Sequence, residues 1–341
     1  MGFLDFLKKK KETQTPAVPA KPVEAIPKEM SEVVDQGYNY LYESPEWQSF
    51  YATISEVLTE RPCICITGKN PDKIRAFYNI KWAHMIWVTS IETELKSATP
   101  ERIEFELTQN VLNYMKNNNG SAVFVDDVEY LTVMIGFEKV MDFLKALGDT
   151  SAYTSSSVVV HICPGFFSNT EVSLLKSIFD RTIPPRSAQI ERREATSYLT
   201  GRMPYPKLAD LVNGFGGPGR KLIISVMQPD KLKPFFGEDN DFYFITNTEQ
   251  KIPVVRPWAT ETDFIIALKK YIESRGKVAV IDGLECVYSS LDFKRFLSFV
   301  KDITDIASRE NIKIFCVFNE GMVKKTDIIA LKQRFDVHVS H

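Results

Sequence analysis

The chain is short of the residues on which most enzymatic readings rest. Four histidines in 341 residues leave no Ser/His/Asp or Cys/His spacing from which nucleophilic catalysis can be argued. Five cysteines, an odd number lying mostly in apolar runs, do not make a disulfide framework and fit a reducing compartment. No apolar run nears the roughly 20 residues that span a bilayer, and no signal-peptide cleavage pattern is present. A formal charge of −2, without a long Lys/Arg stripe in the folded part, argues against a nucleic-acid partner. The most telling absence is a phosphate cradle. A P-loop sets G-x-x-x-x-G-K-[ST] between a strand and a helix so that backbone N–H groups wrap the phosphates. The nearest segments are Thr67-Gly-Lys-Asn-Pro71, with one glycine and a proline lacking the N–H, and Ser225-Val-Met-Gln-Pro229, with neither glycine nor lysine. Neither builds the cradle, so no cofactor is expected and an enzyme is disfavoured.

What the chain does contain is one pattern written twice, over residues 37–183 and 195–341. Tyr40-Leu41, Phe50, Ile54 and Pro71-Asp-Lys-Ile74 recur 158 positions later as Tyr198-Leu199, Leu208, Val212 and Pro229-Asp-Lys-Leu232. Further on the offset is 156, pairing Asp126 with Asp282, Glu129 with Glu285, Phe137 with Phe293 and Asp180 with Asp336. Two divergent copies argue for tandem domains and against a many-unit solenoid. The expected organisation is a short basic amphipathic helix (1–11), a Pro-rich disordered linker (12–34), a first copy (35–184), a linker (185–194) and a second copy (195–341).

Within the first copy, Cys63-Ile-Cys-Ile-Thr67, Met85-Ile-Trp-Val-Thr89, Ala122-Val-Phe-Val-Asp126 and Val158-Val-Val-His-Ile162 read as buried strands. Helical spacing falls within 45–60, at Ile103, Leu107, Val111, Leu112 and Met115, and at Phe137, Val140, Met141, Leu144 and Leu147. A further helix starts near Thr170-Glu171 with Thr170 as its cap, mirrored by Thr326-Asp327. Continuous apolar strands alternating with amphipathic helices make each copy an α/β three-layer sandwich on a mostly parallel sheet.

The first 34 residues differ. Phe3, Leu4, Phe6 and Leu7 share one helical arc, with Lys8, Lys9, Lys10 and Lys11 just beyond it. The arc is expected to sink into a lipid headgroup boundary while the lysines meet anionic lipid, each contributing about 1 kcal/mol. Pro16, Pro19, Pro22 and Pro27 then mark a tether. This describes a cytoplasmic protein held peripherally at the inner face of the cell membrane through residues 2–11. The competing reading is a solubilising tail or a short partner-docking helix.

Two strands end in acid, Val123-Phe-Val-Asp126 and Val278-Ala-Val-Ile-Asp282, with Glu129 and Glu285 three places on. Such strands resemble the magnesium-orienting strand of RecA-like ATPases, although an Asp leaving a buried strand also serves as a turn or cap residue. Asp126, Glu129, Asp282 and Glu285 are therefore the residues of an alternative reading, a nucleotide-binding or hydrolysing enzyme with an atypical magnesium site. In a third reading Arg181, Arg186 or Arg192 reaches a phosphate bound between the copies. Cys63, Cys65, His161 and Cys163 are better read as buried small residues than as a zinc site, since the second copy lacks them. Cys286 and Cys316 also fall in core runs. The glycine-rich stretch Gly214–Gly219 precedes a strand and not a helix, which makes it a turn.

Pro71 with its basic turn, Ile86-Trp87-Val88-Thr89, Asp126-Asp-Val-Glu129-Tyr130-Leu131, Gly136-Phe137, Phe143-Leu144 and Glu171 with Leu174-Leu175 together resemble the archaeal family catalogued as Domain of Unknown Function 835. The resemblance covers the first copy almost entirely and the second more faintly, and the family-like glycine of the second copy, Gly283, is Asp127 in the first. It implies a degenerate RecA-like domain with no established activity, often attached to sensory or membrane-linked proteins. The expectation is then a non-catalytic adaptor or scaffold in archaeal signalling, motility or envelope assembly. Its copies would pack side by side as an intramolecular pseudo-dimer that binds a protein partner. A groove beside Asp126 plugged by Trp87 or Tyr130 would fit that role.

Overall fold

The computed structural model describes residues 34–57, 61–80, 83–183, 185, 195–217 and 219–339. The residues expected to form a membrane anchor, Phe3 to Lys11, most of the Pro-rich linker, and Arg186 and Arg192 lie outside them. No helix among the described residues is long and apolar enough to cross a membrane.

The N-terminal half contains β1 (Asn39–Glu43), α1 (Trp47–Val57), β2 (Cys63–Thr67), α2 (Pro71–Tyr78), β3 (His84–Val88), β4 (Ser97–Ala98), α3 (Thr108–Asn117), β5 (Ala122–Val125), α4 (Val128–Ile135), α5 (Phe137–Thr154), β6 (Ser157–Ile162), α6 (Asn169–Ser177) and β7 (Arg181–Ile183). The C-terminal half contains β8 (Ser197–Thr200), α7 (Tyr205–Gly216), β9 (Leu222–Ser225), α8 (Pro229–Phe236), β10 (Asp241–Ile245), β11 (Val254–Val255), α9 (Ile265–Glu273), β12 (Val278–Asp282), α10 (Leu284–Ser290), α11 (Phe293–Arg309), β13 (Lys313–Val317), α12 (Lys325–Lys332) and β14 (Val337–Val339).

The strands form two seven-stranded sheets, ordered β4-β3-β2-β5-β6-β1-β7 and β11-β10-β9-β12-β13-β8-β14. Adding seven to each strand of the first order yields the second. Every strand pair is parallel, which sharpens the mostly parallel expectation. A π-helical turn precedes the third helix of each half, at Ile103–Leu107 and Thr260–Phe264.

Each sheet has a core on both faces because successive strand residues point to opposite sides. Ile64, Ile66, Val123 and Val125 join one apolar cluster with residues of α3, α4 and α5. Cys63, Cys65, Ala122 and Phe124 join another with α1 and Ile74 of α2. Ala279 and Ile281 against Val278 and Val280 repeat the division in the second sheet. The chain therefore leaves β2 for one face and β5 for the other. In open α/β sheets, the crevice at the strand carboxyl ends where this reversal happens is the usual ligand position.

Four local expectations are corrected. α6 is capped by Ser168 and not Thr170: the Ser168 hydroxyl accepts from Glu171 N, and the Glu171 carboxylate accepts from Ser168 N, a reciprocal capping box. α12 begins after Lys324 with no side-chain cap, so Thr326-Asp327 lies inside the helix. Cys286, expected in the core, is exposed on α10, whose inward-facing residues are Leu284 and Val287. The glycine-rich stretch is partly helical as well, because α7 continues to Gly216 before Gly217, at φ 77°, ends it.

Candidate functional site at the strand switch and the junction of the halves

In the N-terminal sheet the switch lies between β2 and β5, so the residues that leave these strands define the site. Gly68 follows β2, and Asp126 and Asp127 follow β5. Asp127 has φ 74°, a left-handed conformation in which a side chain costs energy. Its carboxylate lies over Gly68: a methyl group on Gly68 would come within 1.5 Å of Asp127 Oδ2. Glycine is required there because an acid occupies the space above it.

Asp127 is held by the C-terminal half. The Arg334 guanidinium, after α12, donates to both its carboxylate oxygens, with both side chains buried. Burial pushes the Arg334 guanidinium down to about 9, and the nearby Asp126 carboxylate opposes the shift, so it remains a cation at neutral pH. The Lys69 ammonium donates to Gln333 O and sits over the Trp47 ring, 4.8 Å from its centroid. Burial pulls that lysine well below the ordinary range, and the neighbouring Arg334 adds to the shift. The void left among Gly68, Lys69, Lys301, Asp305 and Arg334 is about 20 Å³, room for about one water molecule.

Asp126 is 2% exposed and fully engaged. His161 Nδ1 lies 2.9 Å from Oδ1, the Asp127 amide donates to Oδ1 at 2.7 Å, and the Tyr51 hydroxyl bridges Asp126 Oδ2 (2.9 Å) and Thr67 Oγ1 (2.5 Å). Burial alone would raise the Asp126 carboxyl, but His161, Lys69 and Tyr51 together more than offset it and the net shift is downward. His161 moves up, with burial pulling it down and Asp126, Glu129 and the Ser44 carbonyl together outweighing that pull. Both shifts favour the charged forms of the two groups. Glu129 is used differently: its Oε1 accepts from the Cys163 amide just past β6 at 2.5 Å. Burial raises its pKa, against the pull of His161.

The switch of the C-terminal sheet keeps the same skeleton with other side chains. The Tyr205 hydroxyl and Ser225 Oγ donate to Asp282 Oδ2 at 2.8 and 2.7 Å, and Glu285 Oε1 accepts from the Asn319 amide past β13 at 2.7 Å. Both second acids thus brace the backbone where a neighbouring strand ends. The Gly68/Asp127 pair is exchanged for Val226/Gly283. Gly283 takes the left-handed φ of 98°, and a methyl group on it would meet Val226 Cγ1 at 2.4 Å. One side chain fills the crevice in each sheet, contributed by opposite partners.

The junction around Arg334 joins the carboxyl strand ends of the N-terminal sheet to the amino strand ends of the C-terminal sheet. Lys73 on α2 pairs with Asp336 before β14. Thr89, after β3, donates to Asp305 of α11 at 2.5 Å, and Lys301 holds the same carboxylate. Trp47 Nε1 donates to Phe335 O at 3.3 Å, Gln48 to Asp336 O at 2.9 Å, and Gln333 back to Pro45 O at 2.6 Å. Leu297 and Ala330 of the C-terminal half belong to a core cluster of the N-terminal half. Beside this seam opens a cavity of about 1110 Å³ lined by Lys73, Phe77, Glu94, Lys269, Asp302 and Arg309 among others. Burial raises the Asp302 carboxyl to about 6, and the Ser90 hydroxyl donates to it at 2.5 Å.

The four acids of the alternative reading are not brought together: Asp126 and Asp282 occupy separate switches, and each Glu turns to a backbone amide. Among the described residues no three His, Cys, Asp or Glu side chains form a metal-binding group. His161 of the suggested zinc quartet faces Asp126 and Ser44 O, and burial pushes the Cys63 thiol up to about 12. Arg181 sits at the amino end of β7, paired with Asp35, at the opposite edge from the switch. Trp87 and Tyr130 are fully buried, yet the crevice is filled by Asp127 and Arg334. Sequence reasoning missed Arg334, Lys69 and Asp305, which bond across the two halves, and Lys301, which pairs with Asp305 within α11. The readable trace of the site was the Asp127-for-Gly283 difference.

Residues 45–179 match the family model described as Protein of unknown function (DUF835), which supports the assignment of that segment to this family. The matched stretch runs from just after β1 to just before β7 and holds the first strand switch, whereas Arg334 lies beyond it. No curated protein matches the chain.

Proposed function

We propose that the chain is a non-catalytic scaffold or adaptor: a tandem of two degenerate RecA-like domains in which the second closes the nucleotide position of the first. One observation carries the reading. At the β2/β5 switch, where a RecA-like ATPase would seat phosphates, a buried Asp127–Arg334 pair leaves a void of about 20 Å³. A phosphate tail also lacks its amides there, since Asn70 caps α2 and Pro71 begins it. The paired halves form a rigid pseudo-dimer that presents protein-binding surfaces, with residues 2–11 attaching it peripherally to the inner face of the cell membrane. The family assignment of residues 45–179 fits a role in archaeal signalling, motility or envelope assembly by analogy.

Titration calorimetry with magnesium and ATP tests the core of this reading. No heat of binding is expected. Binding that disappears in Asp126→Asn would establish the nucleotide-enzyme alternative in its place. Sedimentation with anionic vesicles tests the attachment: full-length protein should pellet and a chain lacking residues 1–11 should not.

A further inference from the structure

The internal junction consumes two unlike surfaces, the carboxyl strand ends of the first sheet and the amino strand ends of the second. Among the described residues, their counterparts, the amino strand ends of the first sheet and the carboxyl strand ends of the second, take no part in it. Contacts between unlike surfaces can repeat from molecule to molecule without closing.

The free surfaces can be compared with the joined ones position by position. Lys73 and Lys231 are each the third residue of the helix after the second strand. Asp336 and Asp180 each accept from an amide at the start of their sheet's first strand. Thr89 and Thr246 each follow the third strand and donate their amide to the short edge-strand partner, at Ala98 O and Val255 O. Asp305 with Lys301 and Asp149 with Lys145 occupy the same turns of α11 and α5.

Three junction contacts can then be transposed. Lys73–Asp336 becomes Lys231 opposite Asp180. Thr89–Asp305 becomes Thr246 opposite Asp149. The buried Asp127–Arg334 pair becomes Val226 over Gly283 opposite Ile178. The first two keep their chemistry. In the third, both partners change together from charged to apolar, so neither surface would strand a buried charge. Exposed aromatics point the same way. Tyr153, 86% exposed, stands where Arg309 reaches across the junction to Glu92 O, and Phe235, 40% exposed, stands where Phe77 lines the junction cavity.

The geometry points to head-to-tail association of this chain with further copies of itself, the carboxyl strand ends of one molecule's second sheet seating the amino strand ends of the next molecule's first sheet. This goes beyond the scaffold reading, and nucleotide binding does not bear on it. Inside the chain, residues 184–194 connect the halves and supply an effective concentration in the millimolar range. Contacts between chains lack that tether, so assembly is weaker, depends on protein concentration, and weakens with salt through its charged pairs.

Sedimentation velocity on the full chain across a concentration series reads this directly. The expected result is a mass that rises with concentration beyond that of a dimer. Two variants then block one surface each: Lys145→Glu/Tyr153→Asp at the amino strand ends of the first sheet, and Lys231→Glu/Phe235→Asp at the carboxyl strand ends of the second. All four side chains are exposed, so far-UV circular dichroism and thermal melting should match the parent. Each variant alone should remain monomeric, and an equimolar mixture should form a one-to-one dimer and nothing larger. A parent chain that stays monomeric up to about 1 mM, the weak end of specific association, overturns the proposal without recourse to the variants. So does either variant associating as the parent does, or a mixture that stays monomeric while the parent assembles.

Discussion

The two strand switches of this molecule share one backbone and differ in which residue supplies the side chain that fills the crevice. In the N-terminal sheet it is Asp127, reaching over Gly68; in the C-terminal sheet it is Val226, reaching over Gly283. The left-handed turn after the central strand is common to both. An acid there demands a cation, and Arg334 answers it from the other half. A valine demands nothing, and that switch carries no comparable bridge among the described residues. A two-residue exchange thus decides whether the crevice is closed by an ion pair with the other half or by an apolar side chain of its own sheet.

The harshest way to break this comparison is to fill both members of a pair. Gly68→Ala places a methyl group within 1.5 Å of Asp127 Oδ2, and the carboxylate cannot retreat without leaving Arg334. Denaturant unfolding should show a loss above about 4 kcal/mol. Adding Asp127→Gly together with Arg334→Met should recover much of it, recreating the small/large exchange of the other sheet without stranding the guanidinium. Gly283→Ala, at φ 98° and against Val226, should be rescued in turn by Val226→Ala only in part, because the backbone strain remains. Equal rescue in both sheets would show that the two turns differ less than their side chains suggest.

Next in size is the removal of one ion. Arg334→Met leaves Asp127 buried without its cation and should cost about 3–5 kcal/mol. Arg334→Met with Asp127→Gly should regain most of that, since an ion pair replaced by apolar groups is often close to neutral. Equilibrium unfolding of the four chains closes this double-mutant cycle. A single loss that the second substitution does not relieve would mean that the guanidinium acts through contacts other than Asp127.

Much of the architecture was legible because burial on both faces of a parallel sheet leaves short continuous apolar runs, and Cys63–Thr67 and Val158–Ile162 carry no other signal. The cap of α6 was legible too, as Ser168-Asn-Thr-Glu171 is a capping box in plain sequence, though Thr170 drew attention two residues too late. Glu129 and Glu285 entered the alternative magnesium-site reading because their spacing from Asp126 and Asp282 repeats. In the structure the two share one contact, each accepting from a backbone amide, that of Cys163 or of Asn319. What sequence could not convey was the junction. Asp127 and Arg334 are 207 positions apart, and no periodicity relates them. Only the Asp127/Gly283 difference hinted that one crevice had acquired a side chain the other lacked.

The mildest contrast concerns the third residue of each switch, His161 in one sheet and Val317 at the same place in the other. His161 pairs with Asp126, whereas Asp282 is satisfied by two hydroxyls and has no histidine. The pH consequence follows from the directions of the shifts. His161 is raised above its ordinary 6.5, so its contribution is fully present below pH 6.5 and is lost as pH rises through the higher folded value. Asp126 is lowered below 3.8, so its contribution is present above pH 3.8 and is lost as pH falls through the lower folded value. The pair therefore supports the N-terminal half most between about pH 4 and 6.5. His161→Val should cost about 1–3 kcal/mol in that window. Between pH 6.5 and 9, stability should fall less steeply in the variant than in the parent, because the proton released by His161 is gone. Parallel pH profiles for the two chains over that range would show that His161 is neutral in the fold and serves Asp126 only as a hydrogen-bond donor.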